Sequence, residues 1–511
     1  MTNVAVATTS QLAADAAREV AAGGGNAVDC ALAAALLAMN TEPGVCALAG
    51  GAFITIWRQG SEPVTIDGNV AVPGAGLADE ERGHGAVRVS MEYGGGIETL
   101  VGTGSISVPG SLAAVEYAWK KYGAASWKSI FAPSVRATRE GFPLSTACRY
   151  YLDYSGDCIF GRSDDGSRAL HHADGSLRDA GSLIVVPHLS DTLDAISREG
   201  ADLFYAGELA ATLSDHCRDG GGMLTREDLS SYRAIERQPL LANIGEWRIA
   251  SNPAPAVGGA MLIAMLLACS DLQEKRWTRE TLQQLIDAQR ACLDIRKRKL
   301  DLASNVGEEA TRLVESARNG QLLSRWTSAA TVHTSVVDSS GTGCAITASS
   351  GYGSGEMPSG TGLWLNNCLG EIELNRRGLD AGPVGSRLPS NMAPSVARHE
   401  GSVLAVGSPG ADRITTALQQ FLINYMLFDM PLEQAISHPR VHIDTSGEKI
   451  RLMAEPGLEL PDTNLPLNVF PDLVMYFGGV GAAVFETTTG LASAADPRRE
   501  GGTCIYKHPP S

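Results

Sequence analysis

The chain of 511 residues lacks most of the features that would assign it to a common functional class. Its 41 Lys and Arg against 57 Asp and Glu leave a formal charge of −16, whereas a nucleic-acid partner calls for a basic surplus on at least one face. The longest apolar run, Ala260 to Cys269, is well short of the ~20 residues that cross a bilayer, so no membrane partner is expected. The start, Met1-Thr2-Asn3-Val4-Ala5-Val6, has no basic segment followed by a long apolar stretch. No secretory signal is therefore visible, and a cytoplasmic location is the expectation. The ten cysteines run from Cys30 to Cys504 without a CxxC pair, the pattern of reduced thiols.

Familiar catalytic signatures are missing too. There is no GxSxG, HExxH, P-loop or EF-hand loop. Neither Gly102-Thr103-Gly104 nor Gly351-Tyr352-Gly353-Ser354-Gly355 completes a GxGxxG between a strand and a helix, so no dinucleotide cofactor is expected. His171-His172 and the pair His438 and His442 have no nearby cysteines or suitably spaced carboxylates, so no metal is expected.

What is present is a chain able to bury a large core, 44% hydrophobic and 19% charged. Length alone allows about three domains, and the 57 glycines point to many turns and close backbone approaches. Ser10 caps a helix through Leu12, Ala16 and Val20 that Gly23-Gly24-Gly25 stops. Asn26 opens a second helix, Ala27 to Met39, apolar nearly all round and hence buried. Phe53 to Trp57 and Val64 to Asp67 read as strands. From about Ser111 to Gly320 the pattern is mainly helical, including a helix from Thr278 with Leu282, Leu285, Ile286 and Leu293 on one stripe. The run Arg296-Lys297-Arg298-Lys299 reads as its solvated end. Beyond Ser328, Thr331 to Asp338 and Cys344 to Thr347 form a hairpin around Ser339-Ser340-Gly341. Strands follow at Gly362 to Leu365 and Val403 to Val406, with a helix from about Ile414 to Phe428. Buried helices beside strands imply a layered α/β architecture.

Ala330-Thr331 at the head of that hairpin carries the chemistry. A threonine hydroxyl is a poor nucleophile without an adjacent base, and cutting the chain before it frees an α-amine on the same residue. An α-amine titrates at about 7.7–8.0, close to working pH and suited to moving a proton. By itself a β-branched residue opening a strand is most often structural.

Several segments in order resemble the γ-glutamyltransferase family of N-terminal-nucleophile hydrolases. Gly24-Gly25-Asn26-Ala27-Val28-Asp29 is similar to its GGNAVDAA segment, and Gly104-Ser105-Ile106-Ser107-Val108-Pro109-Gly110 to its SVGVPG segment. Phe204-Tyr205-Ala206-Gly207-Glu208 and Leu224-Thr225-Arg226-Glu227-Asp228-Leu229 are similar to its middle motifs. Thr331-Val332-His333-Thr334-Ser335-Val336-Val337-Asp338 matches its TTHxSVVD nucleophile segment. Leu365-Asn366-Asn367, Gly407-Ser408-Pro409-Gly410 and Ala494-Ala495-Asp496-Pro497-Arg498-Arg499 extend the match from near residue 8 to the C-terminus.

The resemblance implies an αββα sandwich, made as a precursor that cleaves itself between Ala330 and Thr331. Residues 1–330 and 331–511 would be large and small subunits that stay together as one intertwined domain. Thr331 would be the nucleophile for both autocleavage and substrate, and its new amine the base. Ser349 would stand where a family Thr helps activate the nucleophile, and the N–H groups of Gly410 and Ala411 would form the oxyanion hole. No cofactor is implied beyond a small-molecule substrate.

The substrate end departs from the family. Asn69 stands where an Arg clamps the α-carboxylate of γ-glutamyl substrates, and a neutral amide cannot replace a bidentate cation. In the segment corresponding to NNQMDD, Cys368 replaces a polar residue and Glu371 an amino-group-binding Asp. Gly351 aligns with a family Asn, and Ser390 and Asn391 stand in the altered PLSSMSP segment. The resemblance thus implies retained threonine chemistry on a changed substrate. One possibility is the family branch that hydrolyses a C–C bond to remove an oxalyl-type side chain in alkylproline antibiotic biosynthesis. A γ-glutamyl hydrolase or transferase with a divergent pocket, and an unprocessed pseudoenzyme or binding protein, are the alternatives.

Overall fold

The computed structural model describes residues 2–92, 96–296, 300, 305–319, 331–372, 374–410, 413–445 and 449–509. Most strands belong to two antiparallel sheets. In chain order these are β1 (Val4–Thr8), β2 (Gly51–Trp57), β3 (Val64–Gly68), β4 (Ile235–Arg237), β5 (Leu240–Ile244), β6 (Trp247–Ser251), β7 (Val332–Asp338), β8 (Gly343–Ser349), β9 (Ser395–His399), β10 (Ser402–Gly407), β11 (Gly481–Glu486), β12 (Gly490–Ala495) and β13 (Gly502–Tyr506). The first sheet has the order β13-β1-β7-β8-β2-β3-β4 and the second β12-β11-β10-β9-β6-β5. Strands from before and after position 331 alternate: β1 lies between β13 and β7, β8 pairs with β2, and β9 pairs with β6.

The helices α1 (Gln11–Ala22), α2 (Ala27–Thr41), α3 (Ser111–Tyr122) and α4 (Trp127–Glu140) come early in the chain, and α5 (Gly258–Leu267), α6 (Arg279–Ile295), α7 (Val306–Arg318) and α8 (Arg413–Leu422) later. Strand alternation separates the cores. Val332, Val336, Cys344 and Ile346 turn one way, into the layer of α1 to α4. Val337 and Ala345 turn the other way, toward Val396, Val403 and Ala405 of the second sheet. Leu404, Val406 and Ala397 on the far side of that sheet pack on α5, α6, α7 and α8. The result is the four-layer αββα sandwich implied by the resemblance. Among the described residues no helix is long and apolar enough to cross a membrane.

The helix with no polar face is buried along its whole length. Its start is fixed by charge: Asn26 and Asp29 form a capping box, and the Ala27 N–H donates to Asp338 Oδ2 at 3.1 Å. Both carboxylates sit where the helix dipole favours them. Asp338 Oδ1 also accepts from the Ser340 and Thr342 N–H groups at 3.0 and 3.1 Å, which pins the β7–β8 turn. Starting at the C-terminal end of β7 and rising about 1.5 Å per residue, α2 spans the strand and finishes level with Thr331.

The middle of the chain is mainly helical as expected, and within it β5 and β6 form a hairpin on the edge of the second sheet, turning at Gly245 with φ +57°. Two expectations need correction. Residues 362–365 are not a strand but a loop touching Ala49 through one bridge at Leu365. Arg296 is buried at 2% exposure rather than solvated; residues 297–299 of that basic run lie outside the described residues.

Candidate active site

Thr331 precedes β7 and is 3% exposed. Continuing the alternation of β7, Thr331 shares the inter-sheet face with His333 and Ser335. The β7–β8 register pairs Val332 with Ala348, which brings Thr331 alongside Ser349, the last residue of β8. Ser349 Oγ accepts the Gly351 N–H at 3.2 Å. The residue before Thr331, Ala330, lies outside the described residues.

Two residues along, His333 fills the space between the sheets. Its Nδ1 is 2.8 Å from Thr347 Oγ1 and its Nε2 2.7 Å from Ser335 Oγ. Ser335 donates its own proton to Gly481 O at 3.0 Å, so it accepts from His333, and the tautomer carries its hydrogen on Nε2. Burial with no anionic partner holds the imidazole neutral, its pKa pushed down to about 3. The ring lies against Gly407, where any Cβ would overlap it. That contact sets the end of β10, and with it the loop Ser408-Pro409-Gly410, over the Thr331 end of β7.

The loop is braced on its other side. Ser408 Oγ accepts the Gly479 N–H at 3.1 Å, and Gly410, at φ +120°, approaches the backbone so closely that a Cβ would stand 2.8 Å from Gly478 Cα. Residues 477–480 are in turn held by buried charges: Arg440 donates to Phe477 O at 3.0 Å, and Asp496 accepts the Val480 N–H at 2.9 Å. Asp496 pairs with Arg440 and Arg498, and Arg498 with Glu455. These contacts hold Gly410 on a braced loop, and a fixed backbone N–H is what an oxyanion site requires. Ala411, the second residue assigned to it, lies outside the described residues.

The residues assigned to substrate recognition lie in the segments that follow β3 and β8 and in the one that leads into β9. Gly351 has φ +67°, and a Cβ there would overlap Asn367 Oδ1 and stand 3.0 Å from the carboxyl carbon of Glu371. A side chain at 351 would therefore press on both Asn367 and Glu371, so positions 351 and 371 are in contact. Burial, then the charge of Glu371, push the Cys368 thiol pKa up. Asn69 is occupied by the fold: its Nδ2 donates to Leu388 O at 2.8 Å, and its carbonyl accepts from Tyr232 OH at 2.6 Å. Ser390 Oγ accepts the Met392 N–H at 3.2 Å, and its carbonyl accepts the Val257 N–H at 2.8 Å. Asn391 is buried, and its carbonyl packs on Gly258 at the start of α5. These contacts make Asn69 and Ser390 structural anchors, a role that the sequence assignment to substrate binding did not include.

Two further charged residues received no role from the sequence. Glu42, just past α2, accepts from Thr9 Oγ1 at 2.5 Å. Burial pushes its carboxyl up to about 7, against the pull of the Thr9 hydroxyl and the Arg499 charge. Arg499 lies along Gly479 and Gly410 and lines a cavity of about 710 Å³. Its tie to Glu42 joins residues 457 positions apart, beyond the reach of any local pattern. Among the described residues no group of three or more His, Cys, Asp or Glu is placed to hold a metal.

The Gamma-glutamyltranspeptidase family model matches residues 13–506. The glutathione hydrolase proenzyme of Escherichia coli is 26% identical over 496 residues, covering 89% of this chain and 82% of that protein. That of Bacillus subtilis is 26% identical over 484 residues, covering 86% and 80%. Among solved structures, a cephalosporin acylase from Bacillus halodurans has the same fold with a TM-score of 0.81 at 22% identity, over 99% of this chain and 96% of that one. The structure of LmbA gives 0.78 at 20% identity, over 99% and 98%.

Proposed function

The chain belongs to the gamma-glutamyltranspeptidase family and is an N-terminal-nucleophile-type hydrolase, and from that premise we propose that it is a self-cleaving threonine hydrolase with a non-glutamyl substrate. Cleavage between Ala330 and Thr331 leaves pieces of 330 and 181 residues. The new α-amine accepts the proton of Thr331 Oγ as that oxygen attacks a carbonyl carbon. The N–H groups of Gly410 and Ala411 stabilise the oxyanion. Collapse expels the leaving group, which takes up the proton, and water then releases the acid from acyl-Thr331 and restores the hydroxyl. Ser349 positions the nucleophile.

The observation that carries this reading is the placement of the Thr331 end of β7 beneath the Gly410 loop through the His333–Gly407 contact. The substrate side rests on the occupied Asn69 and on the contacting positions Gly351 and Glu371. These support a substrate other than a γ-glutamyl compound, and a C–C bond beside two carbonyls is compatible with the same steps. There the leaving group is a stabilised carbanion that the proton quenches, and an oxalyl group remains on Thr331. The names of the curated relatives favour a second reading, a γ-glutamyl hydrolase or transferase.

A denaturing gel tests the first step: wild type gives two bands and Thr331→Ala one. An intact wild-type chain refutes both enzyme readings and leaves a binding protein. Turnover of γ-glutamyl-4-nitroanilide in preference to 4-nitrooxanilate, the oxalyl anilide, refutes the substrate reading.

A further inference from the structure

One row of the second sheet breaks its apolar pattern. On the face that packs against the helices, Ile249, Ala397, Leu404 and Val484 stand side by side in the core. One pleat further toward the end of the sheet away from Gly407, the same face carries Trp247 on β6, His399 on β9, Ser402 on β10 and Glu486 on β11. Strand register sets these in a row too: Arg248 pairs with Arg398, His399 with Ser402, and Ser402 with Glu486. They open onto a cavity of about 460 Å³, bounded on another side by the segment that follows α8. Five residues of β10 separate Ser402 from Gly407, about 17 Å, so this cavity is distinct from the candidate active site.

Its walls combine flat rings with negative charge. Trp247 is 9% exposed, and its ring centroid is 5.6 Å from that of His399 and 5.8 Å from that of Tyr425. Phe421 backs Tyr425 at 5.9 Å with the planes 6° apart. Glu486 accepts from Tyr425 OH at 3.1 Å and from Thr489 Oγ1 at 2.5 Å. At the rim, Glu246 lies 3.2 Å from His399 Nε2, and Asp429 lies 2.6 Å from Lys275 Nζ. Lys275 also interacts with Glu246. Counting His399 as neutral, three carboxylates against that ammonium leave two negative charges in excess.

The carboxylates stand apart instead of converging on a point. Such an arrangement suits a cation whose own charges are spread along an apolar chain, its methylenes against the rings and its ammonium groups on the carboxylates. Glu486 and the Trp247 end of the row are three strand spacings apart, about 14 Å. The terminal ammonium groups of spermidine are nine bonds apart and span about 11 Å at about 1.5 Å per bond with staggering; the two glutamate side chains close the difference.

We propose that this cavity binds an aliphatic polyamine, with one terminal ammonium on Glu486, the other on Glu246, and the chain lying across Trp247 and Tyr425. The site is separate from the threonine chemistry, and neither assignment depends on the other.

Calorimetric titration of the full chain with spermidine, at physiological salt, tests it. Spermidine binds at one site per chain. Glu486→Gln weakens it roughly 10- to 100-fold, the range for a lost charged hydrogen bond, and Trp247→Leu roughly 2- to 30-fold, the range for a cation–π contact. Butylammonium, with a single charge, binds at least about tenfold more weakly, and an equal concentration of Mg²⁺ does not displace spermidine. Asp79→Asn, which removes an exposed carboxylate in the loop after β3, leaves the affinity unchanged; it controls for general attraction to a chain of charge −16. Absence of spermidine binding, wild-type affinity in both Glu486→Gln and Trp247→Leu, or an equal loss in Asp79→Asn overturns the assignment. Displacement by Mg²⁺ or equal affinity for butylammonium does so as well. Thermal unfolding followed by circular dichroism verifies that each variant is folded.

Discussion

The neutral imidazole between the sheets predicts a pH dependence of stability with a definite sign. His333 titrates near 6.5 in an unfolded chain and is pushed down to about 3 by burial in the folded one. Between those values the unfolded state binds more protons, so the contribution is complete above about pH 7, declines as pH falls through 6.5, and levels off below about 3. Linkage gives a loss of about 2 kcal/mol between pH 7.5 and 5 from this residue. His442, also buried and pushed down to about 3, adds a slope of its own, so the measurement must be a difference. Urea unfolding at several pH values, followed by circular dichroism, compares Thr331→Ala with Thr331→Ala/His333→Gln; the shared Thr331→Ala keeps the chain in one piece. The parent loses about 2 kcal/mol more than the His333→Gln form over that interval. Equal losses, or an imidazole resonance of His333 titrating near 6.5, would refute the buried neutral assignment.

Further outcomes follow from specific contacts. Gly351→Asn restores the family residue, and Asn tolerates a left-handed φ, so its cost is the overlap with Asn367 and Glu371: about 1–3 kcal/mol by overpacking. Glu371→Asp on top recovers part of it; identical urea midpoints for single and double variants would mean that the two sites are uncoupled. Asn69→Arg loses the bond to Leu388 O and crowds Gly51, for roughly 2–4 kcal/mol, without improving γ-glutamyl-4-nitroanilide turnover. A tenfold gain in that assay would show position 69 to be open to substrate after all. Glu455→Ala takes one of two carboxylates from the buried Arg498, leaving it to share Asp496 with Arg440, and costs about 3–5 kcal/mol, with faster hydrogen exchange at Gly479 and Val480. Unchanged exchange there would separate the ion network from the loop that braces Gly410.

Local signals were legible where local physics decides the structure. Ser10, Asn26 and Thr278 each cap a helix through side-chain bonds to residues two or three positions on, and the alternation after Thr331 fixes β7. The β5–β6 hairpin also had a local signal, two short runs around Gly245-Glu246, but it was lost among helical neighbours. Arg296 was misread because a run of charges in sequence says nothing about what packs over its first member. Around the candidate site, the motifs single out Thr331, Ser349 and Gly410, whose spacing is set within two strands and a loop. They leave Gly351 and Glu371 as separate losses because only packing shows the two positions in contact. Asn69 was legible as a missing cation; that its amide serves Leu388, and that Arg499 lies by Gly410, depends on chain segments hundreds of residues apart.

If the proposed cut at Thr331 is made, the alternation of strands across that position gives the pair of fragments an unusual physical status. β1 stays clasped between two strands of the later piece, and β2 and β6 each hold another. The fragments then share one cooperative unit rather than an interface, so their association has no dissociation constant separate from the folding equilibrium. Dilution does not part them, and joining separately made fragments is a folding reaction. The proposed cut would thereby release a new chain end at Thr331 while the scaffold around it stays closed.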